Sequence, residues 1–146
     1  MTRTRLAQEL ARTFSTLNRL NSHSRSYQGL RYSEFQLLSV AYNLTEPTGG
    51  GIRISELSKA LQMTPSGATH LVKTLETQQL LERLSGTGDK RVVMVRITSR
   101  GQDKVRETEA YFFELFQGLV EHLGQGDGGE LLRLLQQTIS YFREAK

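Results

Sequence analysis

The stretch TPSGATHLVKTLETQQLLERLSGTGDKRVVMVRIT, residues 64–98, predicts a helix that is followed by two extended segments joined by a turn. Thr64 is a suitable N-cap, and Pro65 suits the first helical position, where its missing N–H leaves no hydrogen bond unmade. Apolar residues then recur at helical spacing, and they are Ala68, Leu71, Val72 and Leu75. We therefore expect this helix to pack one face against the rest of the protein.

The opposite face of that helix is polar and small, with the residues Ser66, Gly67, Thr69, His70 and Lys73. Such a surface suits a helix that is pressed against a close-fitting, hydrogen-bonding partner. It is also the composition of an ordinary solvent-exposed face, which is the default for surface helices. The helix alone therefore does not distinguish between the two interpretations.

The segment LLERL is followed by the turn-like SGTGDKR and then by residues 92–98, whose side chains alternate in the manner of a strand. Val93, Val95 and Ile97 fall on one face of that strand. The pattern predicts a two-stranded β-hairpin.

The tip of this hairpin is basic. Gly86 and Gly88 permit the positive backbone dihedrals of a tight turn, and Asp89 is a favourable turn residue. Lys90 and Arg91 then stand where no core could use them, so we expect them to reach phosphates or the minor groove of a nucleic acid.

A second short helix precedes the one that begins near Thr64. We expect Ser55 to cap the segment ELSKAL, and we expect Leu57, Ala60 and Leu61 to be buried. Two short helices with a tight link form a helix-turn-helix pattern, and with the hairpin they predict a winged helix.

Longer amphipathic helices are predicted on both sides of this region. One runs from about Thr4 to Arg25, and another covers RYSEFQLLSVAYNL, residues 31–44, with Ser33 as its N-cap. Late in the chain, apolar stripes include Phe112, Leu115, Phe116, Leu119 and Leu123, and then Leu132, Leu135, Ile139 and Phe142. These stripes and that of the first helix exceed what one small lobe can cover, so we expect them to form a dimer interface.

The charge of the chain is unevenly distributed along it. The net charge is +4, made up of +3 in residues 1–52, +5 in residues 53–106 and −4 in residues 107–146. A basic centre suits a surface that faces a polyanion. A chance excess of solvated basic residues is the alternative explanation.

Other chemistries are disfavoured by the residue content. The chain has no cysteine, so it offers neither a disulfide nor a thiolate metal site. Its histidines, His23, His70 and His122, lack the spacing of metal ligands, and no nucleotide or hydrolase motif occurs. We expect no enzyme, no metal and no cofactor, and the absence of an apolar span or leader favours a cytoplasmic protein.

The hairpin resembles the wing of the MarR-type bacterial transcription regulators. That wing reads D-x-R, five residues and then L-T, and here Asp89, Arg91, Ile97 and Thr98 stand at this spacing, with Ile in place of Leu. The resemblance covers essentially all of residues 1–146. It implies a mainly α fold, with residues 31–104 as a winged-helix lobe and residues 1–30 and 105–146 as dimerisation helices.

The same resemblance implies a function for the lobe. Such proteins are homodimers that bind a palindromic operator in double-stranded DNA, and we expect a repressor that is released by a small lipophilic or aromatic ligand. The implied DNA-binding residues are Ser66, Thr69, His70, Lys73, Lys90 and Arg91, with Asp89 orienting Arg91. Two departures stand out, because most relatives have Arg at the position of His70 and Gly at that of Gln79.

A ligand site is the least specific of these expectations. Tyr27, Tyr32 and Phe35 form an aromatic cluster near Arg25 and Arg31 that suits an aromatic anion. The same residues suit a hydrophobic core equally well by type. A helical protein-interaction module without DNA binding also remains an alternative function, and steep salt dependence of duplex binding would argue against it.

Overall fold

The chain is mainly helical with one small antiparallel sheet, as the sequence predicts. A computed structural model describes residues 1–23, 29–45, 50–84 and 93–145, with only the backbone for 21–23. The elements are α1 (Arg3–His23), α2 (Tyr32–Leu44), β1 (Ile52–Arg53), α3 (Ile54–Ala60), α4 (Pro65–Thr77), β2 (Leu81–Leu84), β3 (Met94–Ile97), α5 (Ser99–Leu123) and α6 (Gln125–Glu144). The chain divides into two compact units, Met1–Thr108 and Glu109–Lys146.

The sheet has three strands in the order β1-β3-β2, where the sequence predicted two. The predicted hairpin is present, with Leu81 opposite Ile97 in the antiparallel pair. On the other side of β3, Ile52 lies opposite Val95. A short strand after the glycines of residues 49–51 agrees with the apolar character of residues 52–54, but its pairing with β3 was not predicted, because the sequence does not show which strand a two-residue segment joins. Val95 and Ile97 are buried, as the alternation predicted.

The first turn of α3 differs from the prediction. The expected cap at Ser55 is wrong, because α3 begins at Ile54 and the carboxylate of Glu56 accepts a hydrogen bond from the backbone N–H of Arg53 at 3.4 Å. The buried stripe consists of Ile54, Leu57 and Ser58. Ala60 falls on the opposite side and is exposed, while Leu61 is half-buried, so only Leu57 of the three predicted core residues is fully enclosed.

The expected cap at Ser33 is also wrong. Helix α2 begins at Tyr32, which places Ser33 inside its first turn. The buried carboxylate of Glu34 accepts a hydrogen bond from the backbone N–H of Arg31 at 2.8 Å, so a glutamate in the first turn satisfies the helix start here as in α3. The core of the first unit lies beneath these helices and the sheet, and its fully buried side chains include Leu37, Leu38, Leu57, Val72, Leu75 and Val95.

A polar contact joins α2 to the first half of α5. The guanidinium of Arg106 donates to the hydroxyl of Tyr42 at 3.4 Å and to the carboxylate of Asp103 at 2.7 Å. The hydrogen bond to Asp103, followed by that to Tyr42, raises the pKa of Arg106 above its ordinary value. Arg106 therefore stays charged and links the two helices.

The terminal helices leave apolar side chains exposed. On α1, Leu10 and Leu17 are exposed to 52% and 56%. Within the second unit, α6 contains no buried residue at all, and its Leu132 and Phe142 are exposed to 58% and 57%. Isolated exposed apolar residues are normal on a protein surface and need no explanation, but the residues of these helices form continuous stripes.

Both helices of the helix-turn-helix end in the same kind of turn. Gln62 has a φ of 53° and Gln79 a φ of 63°, so both occupy the left-handed region. The N–H of Met63 then bonds to the carbonyl of Ser58 at 3.0 Å, and that of Leu80 to the carbonyl of Leu75 at 2.9 Å. These bonds satisfy carbonyl groups that a helix end leaves free. At Gln79, where most relatives have glycine, a residue with a Cβ therefore occupies the left-handed region.

Replacing Gln79 by glycine is expected to stabilise the protein. A residue with a Cβ is strained at positive φ, whereas glycine adopts it freely, so Gln79→Gly should raise the free energy of unfolding by about 0.5–1 kcal/mol. The measurement is a urea unfolding curve at equilibrium.

Gln78 provides the matched control for this prediction, because its φ is −84°. Glycine has no strain to relieve there and loses more backbone entropy on folding, so Gln78→Gly should lower stability by a similar amount. Equal effects of the two substitutions would contradict the argument from backbone strain.

Candidate nucleic-acid interface

The start of α4 is fixed by the residues that the sequence singled out. The hydroxyl oxygen of Thr64 accepts a hydrogen bond from the backbone N–H of Gly67 at 3.1 Å, and Pro65 is the first residue of the helix. Ala68, Val72 and Leu75 are buried, which fixes the rotation of α4 about its own axis. The predicted start and packed face of this helix are confirmed.

Four predicted contact residues lie on the opposite side, which we call the outward face of α4: Ser66, Thr69, His70 and Lys73. Ser66, His70 and Lys73 are exposed, and Thr69 is half-buried. Their spacings of three and four residues place them along one face of the helix. The structure therefore brings together all the candidate residues that the sequence places on α4.

The hydroxyl groups on α4 differ in what they can offer to a partner. Thr69 donates its hydroxyl hydrogen to the carbonyl of Pro65 at 2.9 Å, and Thr77 donates to the carbonyl of Lys73 at 3.0 Å. Thr69 consequently presents its methyl group and its oxygen lone pairs. The hydroxyl of Ser66 lies 3.4 Å from that of Thr64, a longer and weaker contact. Ser66 is thus the hydroxyl on the outward face that is more readily turned toward a partner.

Ion pairs connect α4 and the base of the hairpin. The guanidinium of Arg83 on β2 lies 2.7 Å from the carboxylate of Glu76 on α4. Across the hairpin, Arg96 lies 2.6 Å from Glu82, and these two residues are also register partners. In the part of the chain that the structure describes, the ammonium of Lys73 makes no ion pair. The positive charge of Lys73 is therefore available on the outward face.

The wing itself is described only at its base. We use the name wing for β2, β3 and the connection between them. The candidate residues Asp89, Lys90 and Arg91 lie outside the described residues, and so does Tyr27 of the proposed ligand site. Of the two strands, β2 packs against α4.

Thr98 joins three elements at the end of β3. Its hydroxyl donates to the carbonyl of Gln79 at 2.7 Å and accepts from the backbone N–H of Gly101 at 3.0 Å. Its own N–H donates to the carbonyl of Leu80 at 3.1 Å. One residue therefore caps α5, closes the hairpin and holds the turn that ends α4.

The remaining ligand-site candidates occupy different environments on α2. Tyr32 is 40% exposed, whereas Phe35, one turn later, is 8% exposed and belongs to the core. Phe35 contributes to folding irrespective of any ligand. Among residues 1–23, 29–45, 50–84 and 93–145, no three histidines or carboxylates are grouped so as to hold a metal ion. Within the same residues, no helix is long and apolar enough to cross a membrane.

Comparison with known proteins agrees with this geometry. Residues 32–93 match the sequence model of the MarR family. Over this region the chain is similar to the MarR family. It comprises α2, β1, α3, α4 and β2, and thus includes the whole outward face of α4. The resemblance predicted from the wing is confirmed.

Two curated relatives of this chain come from Bacillus subtilis. The HTH-type transcriptional regulator YhbI is 26% identical over 74 residues, which cover 51% of this chain and 48% of YhbI. The HTH-type transcriptional repressor MdtR is 31% identical over 61 residues, 42% of this chain and 39% of MdtR. The chain thus spans less than half the length of these relatives. Both are transcriptional regulators and not enzymes, in agreement with the prediction that this chain is not an enzyme.

A solved structure supports the fold over almost the entire length. Streptococcus pneumoniae FabT in complex with DNA superposes with a TM-score of 0.70 at 17% identity, covering 99% of this chain and 100% of FabT. At this identity the likeness establishes the fold alone. The winged-helix architecture predicted for the chain is therefore confirmed.

The residues that support the interface were not predicted from the sequence. Glu76 and Arg83 are separated by the end of a helix and a turn, so no periodic pattern connects them. Glu82 and Arg96 could have been paired from a hairpin register, had the register been fixed in advance. Thr98 was recognised only as part of a family signature, and its three hydrogen bonds were not foreseen.

Replacing Thr98 by valine tests the joint at the end of β3. Valine has nearly the same shape but neither donates to the Gln79 carbonyl nor accepts from the Gly101 N–H. The free energy of unfolding should fall by about 1–3 kcal/mol. Thr98→Ser keeps the hydroxyl and should retain most of the stability in the same denaturation assay. A valine variant as stable as the serine variant would show that these hydrogen bonds contribute little.

Proposed function

We propose that this chain is a sequence-specific DNA-binding transcriptional regulator that inserts α4 into the major groove of double-stranded DNA. The outward face of α4 is the observation that carries the proposal. It combines small hydroxyl side chains with an unpaired cation on a helix that the core and a capped start hold rigidly. In helix-turn-helix proteins, the second helix of the motif reads base edges.

Three residues of the outward face each suit a particular kind of contact with DNA. The methyl group of Thr69 suits the methyl group of thymine, because the Thr69 hydroxyl is already bonded to Pro65. Ser66 suits a hydrogen bond to a base edge or a phosphate, and Lys73 suits a phosphate. His70 completes the face. On the wing, Lys90 and Arg91 supply phosphate or minor-groove contacts, and Asp89 orients Arg91.

We propose that the active form is a homodimer. The exposed apolar stripe of α1 and those of the second unit require a partner of similar character, and a second copy supplies it. In the proposed division, residues 1–30 and 105–146 form the dimer and residues 31–104 form the DNA-binding lobe. Two lobes about 34 Å apart would meet successive turns of a palindromic operator on one face of DNA.

Sedimentation tests the dimer. At micromolar concentration the protein should sediment as twice its 16.5 kDa chain mass, because obligate interfaces bury more than about 2,000 Å². A charge on the exposed stripe of α6, as in Ile139→Glu, should shift the equilibrium to monomer. The matched substitution Gln137→Glu, at an exposed polar position, should leave the dimer intact. A monomeric unmodified protein would refute the proposal.

The direction and control of regulation form the finer part of the proposal. MdtR, a repressor, is 31% identical over 61 residues, which supports repression. We propose release by a small lipophilic or aromatic effector near Tyr27, Tyr32 and Phe35, where the exposed ring of Tyr32 is accessible and Phe35 backs the site from the core. A cytoplasmic location belongs to the proposal, because the DNA bound by a bacterial-type regulator lies there.

Selection of duplexes from a random DNA pool, followed by titration at several salt concentrations, tests DNA binding. A recurring palindrome should be recovered. Lys73→Ala and Arg91→Ala should each weaken binding by about 1–3 kcal/mol and reduce the salt slope by about one unit per half-site. Arg133→Ala removes the same charge from a residue paired with Glu130 on α6, and it should leave affinity nearly unchanged.

Folding must be monitored in the same series by circular dichroism, because the argument concerns exposed side chains. The expected spectra are unchanged, since neither Lys73 nor Arg133 is buried. Failure to recover any duplex, with weak binding that has no salt dependence, would reject DNA binding. That outcome would favour the alternative in which the outward face of α4 binds a partner protein.

A further inference from the structure

On the outward face of α4, His70 is the one residue of a type that changes charge within the physiological pH range. Its side chain is exposed, and it lies one turn from Ser66 on one side and one turn from Lys73 on the other. Within the described part of the chain, its imidazole makes no hydrogen bond or ion pair; only its backbone carbonyl is engaged, by the hydroxyl of Thr74. The ring is therefore free to respond to whatever α4 binds.

The carboxylates around α4 are already engaged with other groups. Helix α4 packs against α2, α3 and β2, and each of these four elements contains one carboxylate. Glu34 and Glu56 accept from the backbone N–H groups of Arg31 and Arg53, and Glu76 and Glu82 are paired with Arg83 and Arg96. The other charged or titratable groups on these elements are Lys59, Lys73, Arg83, Tyr32 and Tyr42.

The described surroundings therefore contain no spare anion for a protonated imidazole at position 70, and the nearest charge along the outward face is the cation of Lys73. A DNA backbone reverses this balance, because each phosphate diester remains negative across the range in which an imidazole changes charge, near about pH 6.5. An imidazole placed against phosphates gains an opposite charge only when it is protonated. Its neutral form gains a hydrogen bond at most.

We propose that DNA binding takes up a proton at His70, so that the affinity of this regulator for DNA rises as the pH falls. The inference rests on the proposed function, because it assigns a regulatory property to the same surface. The direction follows from the charge. The added affinity is fully present at a pH low enough for the free imidazole to be protonated as well, and it is lost as the pH rises until the bound imidazole is also neutral.

The expected size follows from linkage between protonation and binding. If contact with phosphate favours the protonated ring by one pH unit, affinity changes roughly tenfold per protomer between the two limits. A dimer with two such contacts would change roughly a hundredfold. Since the protonated ring also displaces a counterion, the salt slope should be steeper at low pH by about one unit per half-site.

The experiment is a titration of the selected duplex from about pH 5.5 to about pH 8 at constant ionic strength. The proteins are the unmodified chain, H70Q and H70R. H70Q should bind weakly at every pH, and H70R should bind with the higher affinity at every pH, because neither side chain titrates in this range. Circular dichroism at both limits checks that the fold is retained.

The other two histidines of the chain provide the controls. H122Q removes an exposed imidazole on α5 in the second unit, and H23Q removes the remaining one. Both variants should retain the full pH dependence of the unmodified protein. Loss of the pH dependence in H122Q or H23Q, with its persistence in H70Q, would overturn the assignment to His70.

The results also separate this inference from the proposed function. Specific duplex binding with the same affinity at both pH limits would overturn proton uptake while leaving DNA recognition intact. Affinity that falls on acidification would overturn it too, since that is the behaviour of a neutral imidazole accepting a hydrogen bond. Absence of duplex binding at every pH would instead reject the proposed function.

Discussion

The hydrogen bonds of Thr98 are the constraint on which the geometry of the interface depends. They connect the turn after α4, the end of β3 and the first turn of α5. Close packing supports them, because a Cβ added at Gly101 would overlap the backbone carbonyl of Leu80. A side chain at position 101 would force α5 away from the hairpin. The end of α4, the base of the hairpin and the first turn of α5 are consequently held in one arrangement.

The individual polar contacts around this joint contribute little to stability. Their main effect is to orient the elements that they join. The pairs Glu76–Arg83 and Glu82–Arg96 are partly exposed, and such pairs contribute between zero and about 1 kcal/mol. Stability comes mainly from buried side chains such as Leu75, Leu80 and Val95. What the ion pairs add is orientation, since each joins the hairpin either to α4 or across its own strands.

The fold could largely be predicted from the sequence, because strong local signals agreed with one another. Thr64, Pro65 and the stripe from Ala68 to Leu75 defined α4, and the alternation around Val95 defined the hairpin. The caps at Ser33 and Ser55 were wrong for one physical reason: the glutamate that follows each serine, Glu34 or Glu56, can satisfy the helix start as well as a serine can. The pairing of β1 with β3 was not predicted because two residues carry no period that would fix a partner, and ion pairs across turns depend on tertiary geometry that no local pattern encodes.

The candidate site was predictable on α4 because helical spacing alone decides which residues share a face. What the sequence could not give was the state of each group, such as the Thr69 hydroxyl bonded to Pro65 or the carboxylates committed around His70. These states decide what the surface can still bind. Among the described residues, the anions that neighbour this face are all engaged, whereas Lys73 and the imidazole of His70 have no ion-pair partner, so the charge of the face requires an external anion. A regularly spaced polyanion with a groove wide enough for a helix satisfies that requirement, which is why geometry and charge favour duplex DNA over a protein partner.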